Sequence, residues 1–263
     1  DKNLMYSSAI FPEKNSNLET ASEHKLEQIC QKLELKPSDH VIEIGTGWGG
    51  FAIYAATHYG CKITTTTISA EQFSLANERI QRAGLSEQIK VKLTDYRNLT
   101  GQFDKLVSIE MIEAVGHQFY DTYFSKCSRL LKPDGLMLLQ AITMSDWIFD
   151  AHKRTVDFIK RYIFPGSCIP SISAICKSMS KETDLRIVDL LDIGPHYART
   201  LRLWRERFFA SINVVREQGF NEEFIRMWHF YLCYCEAGFS ERYISDAQIL
   251  FAKPKNRRQP EVK

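Results

Sequence analysis

The chain has 263 residues with 34 basic and 32 acidic side chains, and this length allows one large domain or two small ones. A formal net charge of +2 gives no broad positive field, which argues against a nucleic-acid partner. No stretch reaches the roughly 18 apolar residues needed to cross a bilayer. The seven cysteines are odd in number and form no C-x-x-C pair, so we expect reduced thiols, no disulfide framework and no metal site.

Short β-branched and apolar runs alternate along the chain with amphipathic stretches of helical length, which is typical of an α/β protein with a mostly parallel sheet. In chain order, the predicted strands are residues 40–45, 62–68, 89–94, 105–109, 136–142, 185–193 and 247–252. The predicted helices are residues 51–59, 70–83, 119–131, 199–218 and 222–239. We expect Ser69 to cap the second of these helices, and Gly60 and Gly84 to end the first and second.

The rhythm of strands and helices changes after residue 142. Residues 146–182 are rich in aromatic side chains and proline, and they predict helical pieces that cap the carboxyl edge of the sheet. We therefore expect a single domain over residues 1–253, with a lid insertion at about 146–182 and C-terminal helices at about 199–239. Residues 254–263 form a polar tail that we expect to be disordered.

The sharpest local signal is the run V-I-E-I-G-T-G-W-G-G at residues 41–50, where a buried strand leads through glycines into a helix. Glycines allow unusual φ angles at such a turn, and the helix behind them offers free N–H groups to a ligand. Gly45, Gly47 and Gly50 fit the G-x-G-x-x-G spacing of dinucleotide sites. An S-adenosylmethionine loop and a purely structural turn are the other two interpretations.

Features around the loop favour S-adenosylmethionine. Glu43 lies in the strand two residues before the first glycine, where the methyltransferase pattern has an acid. The second strand ends in Thr67-Ile68-Ser69 and lacks the acid that would hold the ribose of NAD. After the third strand, Asp95-Tyr96-Arg97 supplies an acid and an aromatic ring where adenine would lie.

Six segments of the chain resemble motifs of the cyclopropane fatty acid synthases, which include the mycolic acid cyclopropane synthases. They are IEIGTGWGG (42–50), TISAEQ (67–72), DYR (95–97), SIEMIEAVGHQFYDTYF (108–124), RYIFPGSCIPS (161–171) and RMWHFYLCYCEAGF (226–239). The resemblance extends over essentially the whole chain. It implies a class I S-adenosylmethionine methyltransferase fold, with a seven-stranded, mostly parallel sheet and a helical lid insertion. The family has a further segment, H-Y-D-x-G-N-x-F-Y, before the position of Tyr6, and we expect this chain to begin just inside it.

The resemblance also implies a reaction and a location. The reaction is methyl transfer to a cis double bond of an unsaturated phospholipid acyl chain, giving a cyclopropane or a methyl- or methylene-branched chain. The protein is expected in the cytoplasm, in peripheral contact with the inner face of the membrane. Two alternatives remain open: a small-amine N-methyltransferase, and a relative that binds lipid or cofactor without catalysis.

In the family, the proton acceptor is thought to be a bound bicarbonate. Transferred by motif, the residues expected around it are Ser8, Glu113, Gln140, Ile142 and Tyr197. Ser8 stands where the family has cysteine, Gln140 where it has histidine, and Ala114 where a histidine follows the glutamate. Serine and glutamine can donate hydrogen bonds to an anion, but neither can carry the positive charge of a histidine.

The resemblance assigns the cofactor residues by segment. The methionine part is expected near Tyr6 and Ser7, with the glycine loop beneath it and Ile109 and Glu110 on the floor of the site. The loop residues are Glu43, Gly45, Thr46, Gly47, Trp48 and Gly49; Thr67, Ile68 and Gln72 approach the ribose and adenine, and Tyr96 and Arg97 the base. Residues 147–170 and the helices after residue 199 are expected to enclose an elongated apolar cavity.

Overall fold

The computed structural model describes residues 1–258; the last five residues of the expected polar tail, 259–263, lie outside the described part. One sheet of seven strands organises the molecule, in the order β3-β2-β1-β4-β5-β7-β6. The strands are β1 His40–Ile44, β2 Lys62–Thr67, β3 Ile89–Leu93, β4 Phe103–Ile109, β5 Leu131–Met144, β6 Arg186–Asp192 and β7 Ile244–Ala252. Strands β1 to β5 pair in parallel, and β7 runs antiparallel to both β5 and β6. The predicted α/β class with a mostly parallel sheet is confirmed.

The described residues form nine α-helices: α1 Leu18–Lys32, α2 Gly50–Tyr59, α3 Ala70–Arg82, α4 Tyr120–Leu130, α5 Asp146–His152, α6 Ile172–Glu182, α7 Gly194–Ala210, α8 Ile212–Glu217 and α9 Glu222–Ser240. Ser69 caps α3, as expected, by accepting a hydrogen bond from Gln72 N at 3.2 Å. Gly60 and Gly84 follow the ends of α2 and α3 with φ of +67° and +70°.

The structure differs from the predicted helices in two places. Helix α1 was not predicted, although Asn17 caps it by accepting from Thr20 N and one of its faces is buried. The helix predicted at residues 199–218 begins earlier, at Gly194, and is interrupted at Ser211, whose φ of −105° and ψ of 15° leave the helical region. Ser211 therefore separates α7 from α8.

Helices cover both faces of the sheet. Helices α1, α2 and α3 pack on one face, where Val41 of β1 meets Phe51 of α2. Helices α4 and α6 pack on the other face, where Ile42 belongs to the same buried cluster as Tyr123. Neighbouring residues of β1 thus serve opposite faces, because side chains alternate along a strand.

A third layer lies beside the end of β5. Helices α7 and α9 pack together, with the Tyr197 ring stacked on Phe239 at a centroid distance of 4.3 Å. A π-helical turn, Ile159–Ile163, joins this cluster from the segment between α5 and α6, and Ile142 packs against it from the sheet. Within residues 1–258, no helix combines the length and the apolar character that crossing a membrane requires.

Candidate active site

The glycine loop follows β1 at the carboxyl edge of the sheet. Gly45, Gly47 and Gly49 have φ of +105°, +51° and +84°, a region that other residues rarely adopt. A Cβ atom added to Gly47 would have no heavy atom within 4 Å, so the loop borders open space there. Thr46 is buried, and its hydroxyl lies 2.7 Å from that of Thr65 on β2. The backbone at Gly47 is therefore accessible to a ligand.

Glu43 lies buried in β1 just before this loop. Its Oε2 atom has no hydrogen-bond partner among residues 1–258. Burial raises the pKa of Glu43 to about 8, because the charged form loses its hydration. An acid that is this deeply buried and incompletely bonded is an unusual feature of a sheet interior.

The ends of β2 and β3 form the side of the site predicted for adenine. The Thr67 hydroxyl donates to Gln72 Oε1 at 2.7 Å, which ties the strand to α3. Ile68 is 78% exposed, and Tyr96 is half-buried with its ring edge-on to Tyr123. Arg97 forms two hydrogen bonds with the Asp95 carboxylate, at 2.7 and 2.9 Å, so its guanidinium already has a partner.

Residues 1–8, here called the strap, cross the glycine loop. Arg79 of α3 donates to the Trp48 carbonyl and, at 3.1 Å, to the Asn3 carbonyl, which joins the strap to the loop. A Cβ on Gly50 would lie 2.5 Å from Met5 Sδ and 2.7 Å from Asn3 O, so only glycine allows this approach.

Tyr6 connects the strap to the third layer. Its ring stacks on Trp204 at 5.2 Å, and its hydroxyl lies 2.9 Å from that of Tyr231. The strap is thereby packed against both α7 and α9 as well as the glycine loop.

Glu110 follows Ile109, the last residue of β4. The carboxylate of Glu110 accepts three hydrogen bonds. They come from Ser8 N at 2.8 Å, from Gln140 Nε2 at 2.8 Å and from the Tyr197 hydroxyl at 2.6 Å. Glu110 has a φ of +48°, an uncommon conformation for a residue with a side chain. This carboxylate holds the strap, β5 and α7 together.

Glu113 lies in a short 3-10 turn, Ile112–Ala114, and is almost fully buried. Its Oε1 accepts a hydrogen bond from Ile142 N at 2.6 Å, while its Oε2 has no partner among residues 1–258. Burial and, to a smaller extent, the neighbouring charge of Glu110 raise the pKa of Glu113 to about 8. The predicted pair of Glu113 and Ile142 is therefore in direct contact, whereas Tyr197 bonds to Glu110 instead.

The side chains of Gln140 and Ser8 donate their hydrogen bonds to acceptors within the protein. The fully buried Gln140 amide donates to Glu110 Oε1 and, at 3.0 Å, to Asp246 Oδ2, and accepts from Gln248 at 3.2 Å. The Ser8 hydroxyl donates to the Ala9 carbonyl at 3.0 Å. Burial and Glu110 also raise the pKa of Asp246 well above its usual range. The side-chain donors of Gln140 and Ser8 are thus already bonded, and neither offers a free hydrogen to the bicarbonate expected from the sequence.

A cavity of about 750 Å³ opens beside Glu110 and Glu113. The insertion, α7, α9 and the start of β7 contribute its walls, which are mainly apolar. Among the lining residues are Tyr6, Ile142, Met144, Ile148, Ile159, Phe164, Tyr197, Leu201, Tyr231 and Phe239. The elements that were expected to surround an apolar cavity do line one.

The family model described as mycolic acid cyclopropane synthetase matches residues 1–249. The chain belongs to the mycolic acid cyclopropane synthetase family. The predicted family is thus confirmed.

Two curated relatives and one solved structure show how close the likeness is. Tuberculostearic acid methyltransferase UfaA1 of Mycobacterium tuberculosis is 41% identical over 93% of this chain and 58% of its own length. Cyclopropane-fatty-acyl-phospholipid synthase of Escherichia coli is 40% identical over 96% of this chain and 63% of its own length. The chain therefore spans less than two thirds of these relatives.

The structure of mycolic acid cyclopropane synthase CmaA1, complexed with SAH and CTAB, superposes with a TM-score of 0.89. It is 28% identical, and the superposition covers 96% of this chain and 91% of that one. The predicted class I S-adenosylmethionine methyltransferase fold is confirmed.

The site of this family member fits S-adenosylmethionine on its own geometry. The glycine loop opens to free space at Gly47, and the exposed Ile68 and half-buried Tyr96 offer apolar surface at the neighbouring strand ends. Tyr6 and Ser7 belong to the strap that crosses the loop. The side chain of Arg97, another predicted cofactor residue, is hydrogen-bonded to Asp95.

Three ionisable residues of the site, two of them fully buried, were missed or undervalued. Glu110 was expected only on the floor of the site, and Asp246 and Lys25 were not predicted at all. An acid directly after β4 was a usable signal for Glu110, since ligand sites gather at the carboxyl ends of parallel strands. No local pattern marks Lys25 or Asp246.

Proposed function

We propose that this chain transfers a methyl group from S-adenosylmethionine to a carbon–carbon double bond in the acyl chain of a phospholipid. The observation that carries the proposal is the mainly apolar cavity of about 750 Å³, which has the carboxyls of Glu110 and Glu113 in its wall. An acyl chain needs such a cavity to leave water. Support comes from the relatives named for fatty-acyl substrates and from CmaA1, which was solved with CTAB.

S-adenosylmethionine supplies an electrophilic methyl group when it is bound. We assign its binding to the glycine loop, to Tyr6 and Ser7 of the strap, and to Ile68 and Tyr96 beside the adenine. Closure of the strap over the loop and of the insertion over the cavity excludes water from both reactants. In this proposal residues 146–182 act as the lid of a single domain.

Glu113 is the residue to which we assign the charge and the proton. A double bond that gains a methyl group is left with a positive charge on the acyl chain, and an ionised carboxylate stabilises that charge. The carboxylate of Glu113 can then accept the proton that is lost as the chain forms a cyclopropane or a methylene branch. A saturated methyl branch would need a hydride donor in addition. Tyr197 and Gln140 keep Glu110 in place beside it.

The lid also carries a surface that fits a phospholipid bilayer. Trp147, Val156 and Tyr162 are 84%, 72% and 57% exposed, although they are large apolar side chains. Arg154 and Arg161 lie in the same segment, and neither forms an ion pair with another residue of 1–258. Exposed aromatic rings and unpaired cations are the combination that interfaces with anionic lipids use. We assign this surface to the cytoplasmic face of the membrane.

A second candidate, methylation of a small amine, is favoured by one observation. Four carboxyl groups line the cavity, those of Glu110, Glu113, Asp157 and Glu241. Carboxylates attract a protonated amine, whereas an uncharged acyl chain is not attracted by four carboxyl groups. The experiment below therefore offers both kinds of acceptor.

The test is to incubate the purified chain with methyl-labelled S-adenosylmethionine, vesicles of monounsaturated phospholipids and a mixture of small amines, and to analyse both the acyl chains and the amines by mass spectrometry. We expect label in the acyl chains, at a rate that does not change when bicarbonate is removed, and some branched product beside cyclopropane. Exclusive formation of cyclopropane with strict bicarbonate dependence would contradict the assignment to Glu113. Label in small amines alone would favour the second candidate, and label in neither would indicate a binding protein.

A further inference from the structure

Lys25 of α1 is a cation in the interior that the proposed mechanism does not use. Its side chain is completely buried, and its ammonium donates a hydrogen bond to Ser7 Oγ at 2.8 Å. Carboxyl groups on three other elements favour its charged form: those of Glu43 of β1, Glu110 after β4 and Asp246 of β7. Burial of an ammonium group is strongly unfavourable unless a charge or a function compensates it.

Ser7 connects this charge to the strap through a hydrogen bond. The Ser7 hydroxyl accepts the hydrogen of the ammonium, and its own hydrogen has no acceptor among residues 1–258. A hydroxyl that accepts from a cation becomes a stronger donor, because hydrogen bonds in a chain polarise one another. The next residue, Ser8, is fixed by its N–H bond to Glu110. The free donor is therefore held in one place within the strap that crosses the glycine loop.

The charges around this donor indicate which ligand group it suits. The methionine part of S-adenosylmethionine carries a carboxylate, and the neighbouring acids Glu43, Glu110 and Asp246 offer it no positive charge. Lys25 supplies that charge, and its hydrogen bond makes Ser7, a residue of the strap, a charge-assisted donor. The same acids suit the positively charged amine of the ligand.

We infer that Lys25 is a positioning residue which, through the Ser7 hydroxyl, selects ligands that carry the amino-acid carboxylate of S-adenosylmethionine. The inference rests on the proposed binding of that molecule at the glycine loop. It assigns a function to the most deeply buried cation of the site.

Two ligands separate this role from simple support of the fold. S-adenosylhomocysteine carries the carboxylate, and decarboxylated S-adenosylhomocysteine keeps the amine and lacks only that group. Titration calorimetry measures the affinity of each for the wild type, for Lys25→Met and for the matched control Lys32→Met. Lys32 lies on the same helix but pairs with Asp189 on β6.

In Lys25→Met we expect the affinity for S-adenosylhomocysteine to fall about tenfold or more, as loss of a charge-assisted hydrogen bond does. The affinity for the decarboxylated ligand should stay within about twofold, and Lys32→Met should change neither value. An equal loss for both ligands would mean that Lys25 only supports the fold, and unchanged values for both would also overturn the inference.

Ser7→Ala keeps the test decisive if Lys25→Met does not fold. This variant leaves Lys25 in place and removes the hydroxyl, so it should show the same selective loss. An unchanged ratio of the two affinities in Ser7→Ala would overturn the inference while leaving the proposed function intact. A wild-type protein that binds neither ligand would instead overturn the proposed function itself.

Discussion

At the scale of single residues, Glu113 combines a free carboxyl oxygen with a place in the cavity wall. We expect Glu113→Gln to lower turnover about 100-fold or more, because the amide can neither offset the positive charge on the acyl chain nor take its proton. The affinity for S-adenosylhomocysteine should stay within about twofold. Rates from labelled S-adenosylmethionine and calorimetry measure the two quantities.

Glu241→Gln is the control for this substitution, since Glu241 also lines the cavity. It should keep most of the activity, because Glu241 lies after α9 and outside the hydrogen-bonded group around Glu110. A Glu113→Gln enzyme that retains most of its turnover would show that another group accepts the proton.

The raised pKa of Glu113 predicts a pH dependence of the rate. The folded protein holds this pKa at about 8, mainly through burial, so most molecules carry the protonated acid at pH 7. The ionised form is the active one, and kcat/KM should therefore rise about tenfold per pH unit below 8 and level off above it. Vesicles of zwitterionic lipid keep the substrate charge constant during this measurement. A flat profile between pH 6 and 8 would contradict a role for ionised Glu113.

At the scale of elements, the sequence was sufficient to predict the strands of the sheet. It was insufficient to predict the contacts between residues that are distant along the chain. All seven strands were predicted, because their apolar and β-branched runs are short and separated by glycine and polar turns. Helix α1 was missed, since a strongly charged run hides its buried face. No sequence pattern predicts the break between α7 and α8 at Ser211.

The hydrogen bonds that assemble the site lay beyond any local pattern. Glu110 meets Ser8, Gln140 and Tyr197 from 102, 30 and 87 residues away. The motif resemblance predicted Ser8, Gln140 and Tyr197 around a bicarbonate and did not indicate that they contact Glu110. Only the structure shows that the Gln140 amide donates hydrogen bonds to two carboxyl groups, those of Glu110 and Asp246.

The contact between strap and glycine loop leads to a prediction for Gly50. Alanine there would press its Cβ onto Met5 Sδ and the Asn3 carbonyl, so the strap must move away. We expect Gly50→Ala to cost about 1–3 kcal/mol in the free energy of unfolding and to weaken binding of S-adenosylhomocysteine. Chemical denaturation and calorimetry measure both effects. Unchanged ligand affinity would show that the strap does not contribute to the cofactor site.

At the scale of the whole molecule, the strand order explains why the site lies where it does. From β1 the chain builds the sheet outward to β2 and β3 on one side, and from β4 to β5 on the other. The loops after β1 and β4 therefore diverge, and ligands of α/β proteins bind in the crevice between such loops. The glycine loop and Glu110 stand on either side of this crevice.

The exposed lid surface predicts binding to vesicles. Trp147→Ser should reduce binding to vesicles of anionic phospholipid several-fold, because it removes a large aromatic ring from the surface that meets the lipid. Sedimentation with vesicles measures this, and S-adenosylhomocysteine affinity should not change. As a control, Phe220→Ser alters an exposed aromatic residue in the segment between α8 and α9 and should bind vesicles like the wild type. Equal binding by all three proteins would place the membrane contact elsewhere.

The strap has a consequence for the order of events in a catalytic cycle. Its residues cover the glycine loop, and Tyr6 of the same strap forms part of the wall of the acyl cavity. Entry and exit of the methyl donor thus require movement of a segment that an acyl chain in the cavity would hold in place. The donor should therefore enter before the lipid, and the spent donor should leave only after the modified lipid has gone.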